Sequence, residues 1–179
     1  ATEGQTVKVI RDINLTQTVT IAADKVVTLD LNGKTINTAW ADETAEKHYY
    51  AFENKGTLTI TDNSTEANGV INARGNYNDG ILTLDKGTIN AIDHNGGYGV
   101  QNRVGSKFTM NGGLIATTNE NGDTPGNGYD ATTVRVDNGA EFIMNGGEIN
   151  NISNFTIAIE NYGTTTINEN AGEVKSVHT

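Results

Sequence analysis

Apolar and polar residues alternate in short runs along this chain, and one run returns six times with the same punctuation. An alternating strand leads into an Asn/Asp-Gly turn, and a short strand with a β-branched residue follows. The clearest copies are Phe108-Thr-Met-Asn-Gly-Gly-Leu-Ile115 and Phe142-Ile-Met-Asn-Gly-Gly-Glu-Ile149. Fainter ones begin at Leu29-Asp-Leu-Asn-Gly-Lys-Thr-Ile36, Leu58-Thr-Ile60, Leu82-Thr-Leu84 and Thr165-Thr-Ile167. Alternation sends one side chain inward and the next outward, so each copy predicts strands, not helices. Only residues 39–48 could form a helical turn or two, within a loop.

Repeats of roughly 20 to 40 residues signal a stacked array. Aligned copies predict inward columns. One runs Leu29, Leu58, Leu82, Phe108, Phe142, Thr165; beside it run Leu31, Ile60, Leu84, Met110, Met144, Ile167. A third is Ile36, Ile71, Ile89, Ile115, Ile149, Val174, and a fourth is Ile21, Phe52, Val100, Val136, Ile159, which leaves the third coil without a fourth strand. Two turn columns accompany them: Asn54, Asn102, Asn138, Asn161, and Asn32, Thr61, Asp85, Asn111, Asn145, Asn168. Stacked Asn amides bond along a column and hold turn backbone, which makes these residues structural. Short strands stacked in parallel describe an all-β fold, a right-handed parallel β-helix of about six to seven coils. A β-sandwich of hairpins would space its turns similarly but gives no reason for inward residues to match between copies. The expected organisation is one β-solenoid domain over 1–179: an N-terminal coil over 1–26 with strands at Val7 to Ile10 and Ile13 to Leu15, repeated coils over 27–174 and a tail over 175–179.

Composition fits a narrow core. Hydrophobic residues make up 35% of 179, thin for a ball but adequate when each coil contributes a few side chains, and the 21 Gly suit frequent turns. The net charge of −10 repels phosphate, which argues against nucleic acid and anionic lipid as partners. Without Cys there are no disulfides, thiolate metal sites or Cys nucleophiles. No apolar run is long enough to insert in a membrane. The opening Ala-Thr-Glu-Gly-Gln has no signal-peptide pattern, which leaves a particle component or a mature or excised piece of an exported protein.

Thr18-Val-Thr-Ile-Ala-Ala-Asp-Lys-Val-Val-Thr-Leu-Asp-Leu-Asn-Gly-Lys-Thr-Ile36, Gly56-Thr-Leu-Thr-Ile60 and the Asn-Gly-Gly-x-Ile copies together resemble the pectate-lyase-like β-helix modules of large Gram-positive cell-surface proteins. The resemblance covers nearly the whole chain and rests on solenoid phrases. It implies an adhesin-like or spacer segment, extracellular or at the bacterial surface. The same fold also occurs in phage fibres and polysaccharide lyases, so a virion component and an enzyme are the alternatives.

Candidate chemistry gathers on four expected insertions, 37–49, 72–79, 90–98 and 117–131, all leaving one corner. They carry Trp40, Tyr49, Tyr77, Tyr98 and Tyr129 beside Asp42, Glu43, Asp79, Asp93, Asp123 and Asp130, with Tyr50 bordering the first and only Tyr162 away from the corner. Aromatic rings beside carboxylates on loops suit the stacking of a glycan or contact with a cell-surface protein, with Trp40, Tyr49, Tyr77, Tyr98, Tyr129, Asp123 and Asp130 as the contact residues; the bland reading has the rings sealing the solenoid flank. The oxygen-rich stretch 119–130 could take Ca²⁺ but lacks EF-hand spacing, and no cofactor is otherwise expected. His48, His94 and His178 lack zinc-site spacing. The acids Glu53, Asp137 and Glu160 with Arg103 and Arg135 nearby are the sequence's best case for polysaccharide chemistry, but no coil gathers two acids and a base at consecutive outward positions. An outward Thr row (Thr59, Thr83, Thr109, Thr166) is interrupted by Lys107, Glu141 and Ile143, so it reads as strand exterior before it reads as an ice-binding face. Asn-x-Ser/Thr at Asn14, Asn63, Asn151 and Asn154 arises by chance in a chain this rich in Asn and Thr. The reading is a non-catalytic structural or binding module, with neighbouring domains or subunits stacking on the open solenoid ends.

Overall fold

A computed structural model describes residues 4–38, 50–93, 97–119, 132–151 and 157–176. They form a right-handed parallel β-helix, with no helix among the described residues. The first rung is β1 (Gln5–Lys8), β2 (Ile13–Leu15) and β3 (Val19–Ile21); the second is β4 (Val26–Asp30), β5 (Thr35–Thr38) and β6 (Phe52–Asn54). The third is β7 (Thr57–Thr61), β8 (Val70–Ala73) and β9 (Gly75–Asn78), and the fourth β10 (Ile81–Leu84), β11 (Thr88–Asp93) and β12 (Tyr98–Asn102). Then come β13 (Lys107–Met110), β14 (Leu114–Asn119) and β15 (Thr132–Val136), followed by β16 (Glu141–Met144), β17 (Glu148–Asn151) and β18 (Ile159–Asn161). The seventh rung consists of β19 (Thr164–Ile167) and β20 (Glu173–Ser176).

Every pairing is parallel, and the rungs lie in register except for one irregularity between β9 and β12 at Tyr98–Gln101. Sheet A runs β1-β4-β7-β10-β13-β16-β19, sheet B β2-β5-β8-β11-β14-β17-β20, and sheet C β3-β6-β9-β12-β15-β18. The Ile column holds throughout and begins one rung earlier: Ile13, Ile36, Ile71, Ile89, Ile115, Ile149 and Val174 are successive partners. Phe108 and Phe142 stack within sheet A's inner face, with ring centroids 5.0 Å apart and planes 18° apart. Both are fully buried, as are Ile60, Leu84, Met110 and Met144.

The first of the repeated coils, on the second rung, is displaced by two residues from the expected alignment. Val27, not Leu29, pairs with Leu58, and Leu29 pairs with Ile60. A slip of two keeps every side chain on its own face, so alternation alone cannot detect it. Leu31 also points inward, at the turn, where Cβ atoms on Gly69 and Gly87 would come within 2.6 and 2.8 Å of it. Asp30 therefore takes the turn-column place expected for Asn32. The first strand, expected from Val7 to Ile10, instead spans β1, with Val9 buried just beyond it.

Sheet C corrects two further expectations. The third coil does have its strand, β9, and the true inner columns are Val19–Phe52–Asn76–Val100–Val134–Ile159 and Ile21–Asn54–Asn78–Asn102–Val136–Asn161. Asn78 replaces Asn138 in the Asn column, and Ile21 and Val136 belong with the Asn residues. Asn54 Nδ2 donates to Asn78 Oδ1 at 2.8 Å, and Asn78 Nδ2 to Asn102 Oδ1 at 2.7 Å. The second amide hydrogens go to the Ile81, Lys107 and Glu141 carbonyls. Val136 comes next in the column and offers no side-chain acceptor, so the ladder stops at Asn102, whose oxygen also accepts from Ser106 Oγ.

The turn column behaves as expected from rung four upward. Asn168 donates to Asn145, Asn145 to Asn111, and Asn111 to Asp85 at 2.9 Å. A carboxylate only accepts, so Asp85 sets the direction of the whole ladder. A third ladder, Asn90–Asn72–Asn37–Asn14, runs on the outside of sheet B. The second Gly of each Asn-Gly-Gly phrase is required twice over. Gly113 and Gly147 have φ of 78° and 93°, and a Cβ on either would sit 2.5 or 2.6 Å from a carbonyl oxygen one rung below.

Candidate functional site

Among the described residues, aromatic and charged side chains concentrate on one outer surface of the solenoid, the outer face of sheet C. Outward along sheet C, Thr20, Glu53, Tyr77, Gln101, Arg135 and Glu160 succeed one another rung by rung. Rung spacing of about 4.8 Å brings each within reach of its neighbours' side chains. Tyr77 and Tyr98 lie on β9 and β12, so the windows 72–79 and 90–98 are largely strand and not the projecting loops expected for them. Trp40, Tyr49, Tyr129, Asp123 and Asp130 lie outside the described residues, as do His48, His94, His178 and nearly all of 119–130.

The lower half of the face is packed. Tyr77 is held between Tyr50, whose ring centroid lies 3.7 Å away, and Arg103, whose guanidinium carbon lies 3.5 Å from the Tyr77 centroid. Arg103 also meets Asp79 at 3.3 Å. Burial, and then the neighbouring Tyr77 hydroxyl, push the Tyr50 phenol well above its ordinary pKa. Gly75 leaves room for the Tyr50 ring, since a Cβ there would approach it to 3.0 Å. These rings seal the flank.

The upper half is more open and centres on Arg135. Its guanidinium sits 5.6 Å from the Tyr98 ring centroid and 5.2 Å from that of Tyr162, one rung away on each side. Tyr162 does not stand apart from the other aromatics, as the sequence suggested, but shares an arginine with Tyr98. Arg135 Nε donates to Asp137 at 2.7 Å and its Nη1 reaches Glu160 at 3.2 Å. Asp137 first, with Tyr98 and Glu160 adding to it, holds the guanidinium proton more tightly than usual despite some desolvation. Gln101 donates to the other Asp137 oxygen at 2.9 Å. Tyr162 donates its hydroxyl proton to Glu160 at 2.7 Å, which raises its pKa, and its ring remains 59% exposed. Its signal in the sequence was the turn Asn161-Tyr-Gly163, matching Asn54-Lys-Gly56 and Asn78-Asp-Gly80: the middle residue of such a turn faces outward.

The acids separate by height. Glu160 and Asp137 share Arg135, whereas Glu53 stands four rungs below Glu160, roughly 19 Å by the rung spacing, and pairs with Lys55 at 3.3 Å. On sheet A the Thr row gains Thr6 and Thr28 and is broken at Ile143, while its neighbouring outward column contains the Lys107–Glu141 pair at 3.1 Å. Among the described residues, no cluster of three or more His, Asp or Glu side chains is placed to hold a metal ion, and no helix is long and apolar enough to cross a membrane. No protein-family model, curated protein or solved structure matches the chain.

Proposed function

We propose that the chain is a non-catalytic β-solenoid module of an extracellular or surface assembly, and that it holds a glycan against the upper part of sheet C. The observation that carries this reading is the Tyr98–Arg135–Tyr162 succession, with an exposed Tyr162 ring fixed by its bond to Glu160. A sugar's C–H face stacks on such a ring, and the spare lone pairs of Asp137 and Glu160 accept from its hydroxyls. Residues held by their neighbours on adjacent rungs lose little freedom on binding. Because Arg135 is matched by two carboxylates, the face has no surplus positive charge to draw an anionic polysaccharide, and a neutral, hydroxyl-rich chain fits it best.

A glycan array followed by calorimetry tests this. Tyr162→Ala and Tyr98→Ala should each weaken binding of the glycan that scores positive by tenfold or more, and binding unchanged in both variants would rule the face out. An enzyme acting on polysaccharide is the rival, favoured by the proximity of Asp137 and Glu160. A base has to give up its proton, and Arg135 is held protonated by the same two acids. New reducing ends or unsaturated products on incubation with pectins and glycosaminoglycans would overturn the non-catalytic reading.

A further inference from the structure

We propose that Asn138 is a site of spontaneous covalent modification, where the backbone nitrogen of Gly139 closes on the Asn138 side chain and converts it to aspartate and isoaspartate. The proposal is independent of glycan binding. Asn followed by Gly is the pair in which this ring closure is least hindered, because Gly has no Cβ to obstruct the approach of its nitrogen. Five such pairs fall among the described residues, at Asn32, Asn68, Asn111, Asn138 and Asn145, and those at Asn95, Asn121 and Asn127 lie outside them. What separates the five is how each turn holds the two reacting groups.

At four of them the fold ties these groups down. Asn111 donates to Asp85 and accepts from Asn145, while the Gly112 N–H meets the Leu84 carbonyl at 3.3 Å. Asn145 donates to Asn111 and accepts from Asn168, and the Gly146 N–H meets the Met110 carbonyl at 3.3 Å. Both turns are also crowded: a Cβ on Gly112 or Gly146 would lie 2.5 or 2.4 Å from a carbonyl oxygen one rung below. Asn32 donates to the Val9 carbonyl at 3.0 Å, and the Gly33 N–H donates to the buried Asp62 carboxylate at 2.9 Å. Asn68 is exposed, but the Gly69 N–H donates to the other Asp62 oxygen.

Asn138 differs in every respect. The place in the Asn column expected for it belongs to Val136, which puts Asn138 in an exposed turn closed by the Ala140 N–H on the Asp137 carbonyl at 3.0 Å. Among the described residues, nothing bonds to its side-chain amide or to the Gly139 N–H. A Cβ on Gly139 would meet only Val104 Cγ1, at 3.8 Å, so the turn has room for a ring. The reaction needs water alone. Gly139 N loses its proton and bonds to Asn138 Cγ, the Cγ–Nδ2 bond breaks, and Nδ2 leaves as ammonia. Water then opens the five-membered imide at either carbonyl, and nothing is oxidised or reduced. The product adds one negative charge to the −10 already carried, next to Asp137, which accepts from Arg135 and Gln101. Opening at the backbone carbonyl also inserts a methylene into the main chain of the turn.

Incubating the whole folded chain at mildly alkaline pH and mapping its peptides by fragmentation mass spectrometry tests the proposal. Each hydrogen bond that has to open slows ring closure by about fivefold, so the three at Asn111 or at Asn145 set Asn138 ahead of them by roughly a hundredfold. Asn138 should gain one mass unit, as a mixture of aspartate and isoaspartate, while those two remain amides. Asn68, with only its Gly N–H tied, should trail Asn138 by about fivefold or more. In urea strong enough to unfold the chain, the five positions should react at similar rates. An Asn138 that stays intact in the folded chain, or ladder asparagines that keep pace with it, would overturn the proposal. So would the same ranking in urea, because neighbouring sequence and not the fold would then set the rates.

Discussion

Asn78 reaches up one rung to put its amide nitrogen 2.7 Å from Asn102 Oδ1, to which it donates, and both side chains are completely buried. Asn78 also donates to the Lys107 carbonyl and accepts from Asn54 and from the Gly80 N–H. Replacing it with Leu keeps the volume but leaves the Lys107 carbonyl and the Gly80 N–H without these partners. Buried groups left unpaired cost about 1–3 kcal/mol each, so Asn78→Leu should lose roughly 3 kcal/mol in urea unfolding. Asn145→Leu, in the exposed ladder where water replaces the lost bonds, should cost about 1 kcal/mol or less. Equal losses would mean that burial does not set the strength of these ladders.

Asp62 ties the long turn of the third rung to the second. Its buried carboxylate accepts from the Gly33, Ser64 and Gly69 N–H groups. Desolvation opposes the charge, but these bonds prevail and hold the pKa below the ordinary 3.8. The sign follows from linkage. A folded-state pKa below the unfolded one adds stability that is fully present above the unfolded value and is lost as pH falls through the folded one. Wild-type stability should therefore fall steeply below about pH 4, with Asp30, also buried and also lowered, contributing. Asp62→Asn turns an amide N–H toward backbone donors. It should cost about 3 kcal/mol at pH 7, since bonds to a charged acceptor are the strong ones, and should flatten the acid limb in urea melts run from pH 7 to 2.

Asn76 is a polar residue in an otherwise apolar column, and its amide donates to the Gly99 carbonyl at 2.9 Å. The pairing of β9 and β12 is irregular between Tyr98 and Gln101, so the Asn76 side chain serves backbone that the ladder skips. Asn76→Val makes the core more apolar, yet it should destabilise the fold by about 1–2 kcal/mol because the Gly99 carbonyl is left buried without that donor. A gain in thermal stability would show that water or a backbone shift satisfies the carbonyl.

The same coil shows where sequence reading succeeds and where it stops. The Ile column was legible because each member is β-branched and follows its turn, four residues after Asn32, Asp85, Asn111 and Asn145. The strand Gly75–Asn78 was not, because its inward positions are Asn76 and Asn78, and a search for apolar alternation passes over it. Leu29 and Leu31 were misplaced because a shift by two residues preserves facing. The candidate surface was legible only in its ingredients. Tyr98, Arg135 and Tyr162 lie far apart in sequence, and only the stacking of three rungs brings them together, whereas the linear pattern put its weight on loops.

Two turn glycines separate two kinds of glycine cost. Gly105 and Gly147 both have left-handed backbone, with φ of 77° and 93°. A Cβ on Gly105 meets nothing within 4 Å, whereas one on Gly147 lies 2.6 Å from both the Gly113 carbonyl oxygen and the Met110 methyl. Gly105→Ala should thus cost only the conformational penalty of about 1–2 kcal/mol. Gly147→Ala carries that penalty and must also push two rungs apart in a stack where each rung fixes the next, so it should cost at least about 2 kcal/mol more than Gly105→Ala. Chemical denaturation of the two variants side by side measures the difference. Near-equal losses would show that neighbouring rungs in this solenoid can yield by the ångström or so that a methyl group demands, and that the register argued throughout is softer than the close backbone contacts imply.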